Sequence, residues 1–370
     1  MRICLIVNHP KYAVGGAEKQ AILLAELLVQ GGNEVHLLTQ STDAEPTTSV
    51  ENGVCIEALG LLETGRKGSR RLLGAKYLAR VYRKMQELDA DIYYYRSAGI
   101  VLGAIALFCR RLKRPFIFGS SSIWNATINL HGRLYDGTPF DRLGVSSASY
   151  EYGLGRADAI IAQTEQIATM FRLSFPSRDI MHIPPLAQVQ PRAGPIPRSQ
   201  FVLSVTRLIW YRSPEQFLRL AKMLPEVKFV LVGYGPMQDE ISEGASAIPN
   251  LRFLGRMTTQ ESQRLMRESI MYVNTSRVEG FPNTLLECAS VGTPYVGFYD
   301  PDEVICNYGL GAHASDLQDM AKSVKLLISD QRLRDRIGIN GTQYVARNHD
   351  QKAITRSYQD LFREKVSSVR

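Results

Sequence analysis

The sequence has no run of roughly 20 apolar residues, the length that a membrane-spanning helix requires. Its longest apolar stretch covers only residues 99–109. Cysteine is also scarce, with 5 among 370 residues. Because no CxxC pair or Cys/His metal spacing occurs, we expect reduced thiols and no disulfides. No signal peptide precedes the first predicted strand, so we expect a cytoplasmic protein.

Sequence patterns typical of metal sites are also lacking. The 6 histidines show no HxxxH or HxH spacing. Two DxD sequences occur, but Asp89–Asp91 falls in a predicted turn and Asp300–Asp302 in a loop with a central proline. We therefore expect neither a bound metal ion nor another cofactor.

The basic charge is concentrated in one segment. The chain has a net charge of +8. Residues 64–86 contain no acid and eight basic residues: Arg66, Lys67, Arg70, Arg71, Lys76, Arg80, Arg83 and Lys84. The rest of the chain is therefore neutral, and this distribution does not favour a nucleic-acid-binding protein.

The same segment predicts a basic amphipathic helix within Gly68–Leu88. Drawn as a helix, it places Leu73, Tyr77, Val81, Met85 and Leu88 on one face and Lys76, Arg80 and Arg83 on the neighbouring face. Such a helix suits the surface of an anionic membrane. The alternative is a helix that packs its apolar face on a sheet and leaves a solvated basic flank, and the two interpretations are compatible.

The order of predicted elements indicates an α/β protein with two doubly wound domains. Apolar strands alternate with helix-period segments, which is typical of parallel sheets covered on both faces. The proline-rich segment 183–200 predicts a linker. We expect an N-terminal domain over residues 1–187 and a C-terminal domain over 198–350, with a helix at about 351–370 packing back on the first. Ligands bind at the carboxyl ends of parallel strands, so two such domains predict a central cleft.

The segment "EGFPNTLLE" places two glutamates around a helix start. Glu279 follows a predicted strand, Pro282 suits the first helical position, and Glu287 falls in the second turn. Amides at a helix N-terminus favour anions or sugar hydroxyls, and a carboxylate can accept both hydrogen bonds of a ribose diol. Alternatively, Glu279 only neutralises the helix dipole and Glu287 is only a solvated helix residue.

Two further loops follow predicted strands. Gly15-Gly16 precedes the first helix and lets the backbone approach a phosphate, although the alternative is a turn glycine with positive φ. Arg207 and Arg212 lie between a strand and the helix that Pro214 opens. Two cations there can hold a diphosphate and stabilise it as it leaves, and the alternative is a pair of surface arginines.

The sequence resembles the retaining glycosyltransferases of family four. The resemblance is carried by the Arg207 loop and the segments "GGAEKQ", "FVLVGYGP", "NLRFLGRM", "EGFPNTLLE" and "GTPYV". That family has the GT-B fold, in which two Rossmann-like domains face a cleft. The resemblance implies a metal-independent hexosyltransferase that takes a nucleotide-diphosphate sugar, such as a UDP-sugar, as its donor.

The resemblance also implies a role for each matching residue. Gly15 and Gly16 approach the diphosphate, and Arg207 and Arg212 bind it. Gly255, Arg256 and Met257 line the base pocket, mainly through backbone. Glu279 contacts the donor sugar beside Gly280, Phe281, Pro282, Asn283 and Thr284, and Glu287 holds the ribose. The roles of Glu279, Arg207 and Arg212 are catalytic in this scheme.

The chain departs from the family at two positions. Arg212 replaces the usual lysine. A planar guanidinium, with several donors in fixed directions, therefore stands where the compact ammonium group of a lysine is expected. Ser120–Ser122 occupy the place of a histidine that points at the donor sugar, and His131 downstream is a candidate substitute.

The predicted function is transfer of a sugar to a lipid-linked or polysaccharide acceptor of a bacterial envelope, at the inner face of the membrane. The alternatives are a nucleotide-sugar epimerase of the same fold and a catalytically idle nucleotide-binding partner subunit.

Overall fold

The computed structural model describes residues 1–7, 15–40, 46–60, 70–96, 101–127, 145–187 and 200–369. The chain divides into two compact units. The first contains Met1–Leu186 together with Gln351–Arg370, and the second contains Ala187–Asp350. Each unit has one sheet with helices on its faces.

The described strands of the first unit form an eight-stranded sheet in the order β3-β4-β2-β1-β5-β6-β7-β8. Their bounds are β1 Arg2–Ile6, β2 Glu34–Thr39, β3 Thr47–Glu51, β4 Val54–Ala58, β5 Ile92–Tyr95, β6 Phe116–Gly119, β7 Ala159–Ala162 and β8 Asp179–His182. All pairs are parallel except β3 with β4.

That antiparallel hairpin corrects the expectation of a purely parallel sheet. Its two-residue turn is Asn52-Gly53, and both residues have positive φ, 48° and 80°. Asn-Gly favours this turn because both residues tolerate the left-handed region. The signal was present in the sequence, but β3 is exposed at all five positions and lacks the apolar pattern of the other strands.

Helices cover both faces of the first sheet. Their bounds are α1 Gly16–Gln30, α2 Arg70–Leu88, α3 Val101–Leu112, α4 Val145–Leu154, α5 Glu165–Ser174 and the C-terminal helix α13 Gln351–Val369. α13 buries Tyr358 and Phe362 in the same apolar cluster as Leu24 and Leu28 of α1. The C-terminal helix therefore completes the core of the first unit.

The predicted amphipathic helix exists as α2. Tyr77, Val81, Met85 and Leu88 are buried in the core of the first unit. These four residues of the apolar face therefore pack on the protein itself, as the alternative interpretation predicted, and the side chain of Leu73 lies outside the described part of the chain. Residues 68–69 lie outside the described residues. Among the helices that the structure describes, none is long and apolar enough to span a bilayer.

The second sheet has the order β11-β10-β9-β12-β13-β14, and its strand pairs are parallel. The strands are β9 Phe201–Arg207, β10 Lys228–Tyr234, β11 Leu251–Phe253, β12 Met271–Asn274, β13 Tyr295–Gly297 and β14 Gly311–His313. The helices are α6 Pro214–Met223, α7 Gln238–Ser246, α8 Thr259–Glu268, α9 Asn283–Ser290, α10 Val304–Asn307, α11 Leu317–Ser329 and α12 Gln331–Asn348. The strand order reverses between β9 and β12, which is where ligands bind in such sheets.

Candidate active site

The second unit brings the predicted donor-binding residues to one edge of its sheet. β9, β10, β11 and β12 run parallel, so their carboxyl ends lie at the same edge. Arg207 is the last residue of β9, and Glu279 lies five positions after Asn274, the last residue of β12. The two segments with the most specific sequence signals therefore meet at the switch point.

Hydrogen bonds tie the loops after β9 and β12 together. The chain leaves β9 through a single 3-10 turn, Trp210–Arg212, and Ser213 then adopts a left-handed conformation with φ 48° before α6 begins at Pro214. The Thr275 hydroxyl, just after β12, donates to the Ser213 carbonyl at 2.9 Å. This bond fixes the position of Arg212 relative to β12.

Arg212 and Glu279 form an ion pair between Nη1 and Oε1. The Glu279 side chain is 8% exposed and that of Arg212 is 27% exposed. Burial lowers the pKa of the Arg212 guanidinium from its ordinary value, and the positive charge of nearby Arg207 also lowers it. Arg207 itself is exposed at the strand end. Both cations belong to the segment at the end of β9, which makes them candidates to bind one anion.

Asn274 positions Glu279, and sequence reasoning missed this residue. Its Nδ2 donates to Tyr295 Oη at 2.6 Å and to Glu279 Oε1 at 3.4 Å, while its Oδ1 accepts from the Ser276 amide at 2.9 Å. The signal available in the sequence was the polar run Asn274-Thr275-Ser276 directly after an apolar strand. Polar residues at that place line ligand sites in parallel sheets.

The helix after Glu279 begins one residue later than expected. Pro282 is the residue before α9, with φ −64° and ψ 115°, and it offers no side-chain cap to the first turn. Phe281 is buried, and its ring lies 5.4 Å from the His349 ring. Only the backbone of Phe281 is therefore available to a ligand. Thr284 is half-buried in the first turn of α9.

Glu287 is partly exposed in the second turn of α9. The rings of Tyr272 and Tyr295 are stacked at 5.4 Å, and Tyr295 Oη accepts from Asn274 Nδ2. Burial raises the pKa of Tyr272 well above its usual range, and the Glu287 carboxylate adds to this effect. Glu279 is enclosed, whereas Glu287 is partly exposed to solvent.

The segment after β11 adjoins the end of β10. The Gly255 carbonyl accepts from the Gly233 amide at 2.9 Å, and Gly255 has φ 65° with open space where a Cβ would lie. The Arg256 guanidinium lies 4.8 Å from the centre of the Tyr234 ring. Met257 packs against the apolar cluster that contains Phe281. These residues lie beside the carboxyl end of β10, and their place in a base pocket stays a prediction.

In the first unit, Gly15 precedes α1 with φ −96°. The alternative of a positive-φ turn is therefore wrong at this residue. A Cβ at Gly15 would instead clash with the Glu18 carboxylate, which is buried in the first turn of α1. Residues 8–14, the rest of the predicted phosphate loop, lie outside the described residues.

Ser120–Ser122 surround Asn125. The amides of Ser121 and Ser122 donate to Asn125 Oδ1 at 2.8 and 2.9 Å, and the Ser120 hydroxyl donates to the same oxygen at 3.3 Å. The serines thus hold a capped 3-10 turn at Ile123–Asn125. His131 lies outside the described residues.

The two DxD sequences differ in their surroundings. Asp89 forms an ion pair with Arg114 at 2.7 Å. Asp300, however, lies with Cys306 and His313 so that one ligand atom from each falls within 4.8 Å of the others. Both Asp300 carboxylate oxygens already accept backbone amides, from Ile305 at 2.7 Å and Cys306 at 3.1 Å.

Comparison with known proteins agrees with this geometry. Residues 14–187 match the family model "Glycosyltransferase Family 4", and residues 189–344 match "Glycosyl transferases group 1". The chain aligns over its whole length with sucrose-phosphate synthase of Thermosynechococcus elongatus, at TM-score 0.81, 15% identity and 99% coverage of both chains. The lipopolysaccharide glycosyltransferase WaaG aligns at TM-score 0.73 and 15% identity, covering 97% of this chain and 99% of that one.

Two relatives were found by sequence. An uncharacterized glycosyltransferase of Haemophilus influenzae is 23% identical over 337 residues, covering 87% of this chain and 89% of that protein. An N,N'-diacetylbacillosaminyl-diphospho-undecaprenol alpha-1,3-N-acetylgalactosaminyltransferase of Campylobacter jejuni is 28% identical over 184 residues. This second alignment spans 47% of each chain, so the chain matches about half the length of that relative.

The two Rossmann-like units and the switch-point site define a GT-B fold. The two consecutive family-model matches, over 14–187 and 189–344, identify the family to which the chain belongs. The chain belongs to the glycosyltransferases of the family-four, group 1 type.

Proposed function

We propose that the protein is a retaining, metal-independent hexosyltransferase that moves a sugar from a nucleotide-diphosphate sugar to a lipid-linked or polysaccharide acceptor of a bacterial envelope. The observation that carries this proposal is the Arg212–Glu279 ion pair, with Arg207 beside it, at the switch point of the second sheet. The site combines two cations for a diphosphate with one carboxylate for the sugar.

The proposed mechanism is displacement on one face of the sugar. Arg207 and Arg212 bind the diphosphate and stabilise the charge that grows on it as the bond to the anomeric carbon breaks. The leaving phosphate oxygen takes the proton of the acceptor hydroxyl. Glu279, which Asn274 holds in place, orients the sugar and offsets the positive charge that develops at its anomeric carbon.

Residues at the same edge of the second sheet would make the remaining contacts with the donor. Glu287 is partly exposed and suits the ribose diol, and the backbone of Gly255, Arg256 and Met257 suits the base. The first-turn amides of α9 suit the sugar hydroxyls or the diphosphate. In the first unit, Gly16 would bring its backbone to the diphosphate.

A lipid-linked acceptor is supported by two observations. The Campylobacter relative is named for an acceptor that carries a diphospho-undecaprenol group. In addition, α2 presents exposed Lys76 and Arg83, although Arg80 donates to the Leu59 carbonyl and Lys84 pairs with Glu57 and Glu87. We propose a peripheral position on the inner face of the plasma membrane, held by charge and not by apolar insertion.

The test begins with binding. UDP-, GDP-, ADP- and dTDP-linked compounds are compared by thermal shift, because a true donor at a hundredfold excess over Kd stabilises the protein by about 2.7 kcal/mol. With the donor known, turnover is assayed with and without acceptor, and the anomeric configuration of the product is determined by NMR. Transfer that requires acceptor, retains configuration and survives EDTA supports the proposal.

Other outcomes assign the protein differently. Interconversion of free donor without acceptor would indicate an epimerase. Donor binding without turnover, across lipid-linked and glycan acceptors, would indicate an idle partner subunit. An inverted product would contradict the same-face mechanism.

A further inference from the structure

A second group of chemically reactive side chains lies on two neighbouring strands of the first unit. His36 lies on β2, and Cys55 and Glu57 lie on β4. These strands are parallel neighbours, with His36 opposite Cys55 and Leu38 opposite Glu57. One ligand atom from each of the three side chains falls within 4.8 Å of the others.

The orientation of His36 leaves one ring nitrogen without a partner. Nε2 lies 3.1 Å from Glu34 Oε1. Nδ1 is buried and has no hydrogen-bond partner in the described part of the chain. It lies 4.0 Å from Glu57 Oε1. Nδ1 therefore faces a carboxylate oxygen with no hydrogen bond between them, an arrangement that a cation between the two atoms would stabilise.

Cys55 supplies the third donor. Its Sγ lies 3.7 Å from the same oxygen, Glu57 Oε1, and the residue is partly exposed. The other oxygen, Oε2, pairs with Lys84 Nζ at 3.4 Å, and Lys84 also pairs with Glu87 at 2.9 Å. The Glu57 carboxylate thus has one oxygen fixed by Lys84 and one directed at His36 and Cys55.

We propose that His36 Nδ1, Cys55 Sγ and Glu57 Oε1 bind a zinc ion. Nitrogen, thiolate and carboxylate are the donors that Zn²⁺ takes, and three of them leave a fourth tetrahedral position for water on the exposed side of Cys55. The Glu34 carboxylate orients the histidine as carboxylates do in zinc sites. Ligand atoms around tetrahedral zinc are about 3.3–3.7 Å apart. The separations of 3.7 Å between Cys55 Sγ and Glu57 Oε1 and of 4.0 Å between His36 Nδ1 and Glu57 Oε1 therefore need only a small contraction.

Binding would change the protonation of one group. Burial and the nearby Glu57 carboxylate raise the pKa of the Cys55 thiol from its ordinary value, so the metal-free thiol is protonated at neutral pH. On binding, the thiol releases its proton to solvent and the thiolate coordinates the ion. The ion would then cross-link β2 to β4, the strand through which the exposed hairpin strand β3 joins the sheet.

The Asp300, Cys306 and His313 group is the natural comparison. Each of its carboxylate oxygens already accepts a backbone amide, and a His313 ring nitrogen lies 3.3 Å from the Phe298 carbonyl. The His36 group differs because a buried nitrogen lacks a partner. This proposal does not depend on the proposed function, because His36, Cys55 and Glu57 have no role in the proposed transfer.

The experiment is titration of the metal-free full-length protein with Co²⁺ and Zn²⁺. We expect one zinc per chain by metal analysis and, with Co²⁺, a thiolate-to-metal charge-transfer band with the strong visible bands of a tetrahedral site. Cys55→Ser should abolish the charge-transfer band, and His36→Gln should weaken zinc binding at least about 100-fold. Glu34→Gln, which removes only the orienting carboxylate, should weaken it by about 10- to 100-fold.

Cys306→Ser is the matched control and should bind as the wild type does. Circular dichroism and the midpoint of urea unfolding verify that each variant is folded. A band that survives Cys55→Ser but disappears in Cys306→Ser would place the metal at the other group and overturn the proposal. Absence of any cobalt band or retained zinc in the wild type would also overturn it and would mean that a proton on Nδ1 holds His36 between its two glutamates.

Discussion

Arg212 and Glu279 are paired with each other in the structure, Nη1 to Oε1, across the loops that follow β9 and β12. The Glu279 carboxylate is almost fully enclosed, and its other described contact is the Asn274 amide at 3.4 Å. A diphosphate that binds Arg212 must therefore share the guanidinium with Glu279. The pair thus connects donor binding to the position of the carboxylate that would face the sugar.

The first prediction concerns the dependence of Glu279 on its partner. Arg212→Ala leaves an enclosed carboxylate without its cation, and we expect a loss of about 1–3 kcal/mol in unfolding free energy, below the range for fully buried pairs because Arg212 is 27% exposed. Arg212→Lys should retain most of the unfolding free energy that Arg212→Ala loses. Urea unfolding measures the free energy of both variants. The double variant Arg212→Ala/Glu279→Gln should be more stable than Arg212→Ala alone, and equal stability would contradict the coupling.

Arg207 should behave differently because it is exposed at the end of β9. Arg207→Ala is expected to change stability by less than about 0.5 kcal/mol. We expect turnover to fall about 10²- to 10³-fold, and by more than donor affinity, because the phosphate charge grows in the transition state. Single-turnover kinetics and donor titration separate the two effects. Full activity would place the diphosphate site elsewhere.

Glu287 provides the test of the nucleoside end. Glu287→Ala should weaken donor and free nucleoside diphosphate alike by about 1.5–3 kcal/mol, the value of a hydrogen bond to a charged group. Calorimetric titration measures this change. Glu240→Ala, at an exposed glutamate of α7, is the matched control. Unchanged nucleotide affinity in a folded Glu287→Ala protein would remove the ribose assignment.

Asn274 tests the positioning of Glu279. Asn274→Ala removes the donor to Glu279 and leaves the buried Tyr295 hydroxyl without this partner. We expect a loss of about 1–3 kcal/mol in stability and a lower kcat. If Asn274 only stabilises the fold, kcat should remain at the wild-type value when the variant is assayed well below its Tm.

Most of the second unit could be predicted from the sequence because its strands are apolar and its helices begin at clear signals. Pro214 and the capping box of Thr258 with Glu261 both lie at observed helix starts. β14, only three residues long and starting at a glycine, gives no periodic pattern. The hairpin β3–β4 was missed because its only signal is the Asn-Gly turn.

The sequence predicted which residues lie in the loops of the candidate site, but it did not predict which of their side chains contact each other. Periodicity places Arg212 and Glu279 at strand ends, but a sequence does not show that a 3-10 turn and the Thr275–Ser213 hydrogen bond bring them into contact. The role of Asn274 was missed for the same reason. Conversely, Phe281 belongs to the predicted site by sequence, although its side chain packs against His349.

The last prediction concerns the membrane surface. The apolar face of α2 is buried, so neutral vesicles should not bind the protein. Exposed Lys76 and Arg83 remain available to anionic headgroups, at roughly 1 kcal/mol for each basic residue. We expect co-sedimentation with anionic vesicles at low salt and its loss at high salt, because the attraction is screened over a Debye length.

Charge reversal at these two positions isolates the contribution of α2. Lys76→Glu/Arg83→Glu should abolish binding to anionic vesicles. Lys322→Glu/Lys325→Glu on α11 of the second unit makes the same change in net charge and should leave binding intact. Arg80 and Lys84 are kept in both proteins because their contacts with the Leu59 carbonyl and with Glu57 hold α2 on the first unit. Equal losses in the two double variants would mean that net charge, and not the α2 surface, governs binding.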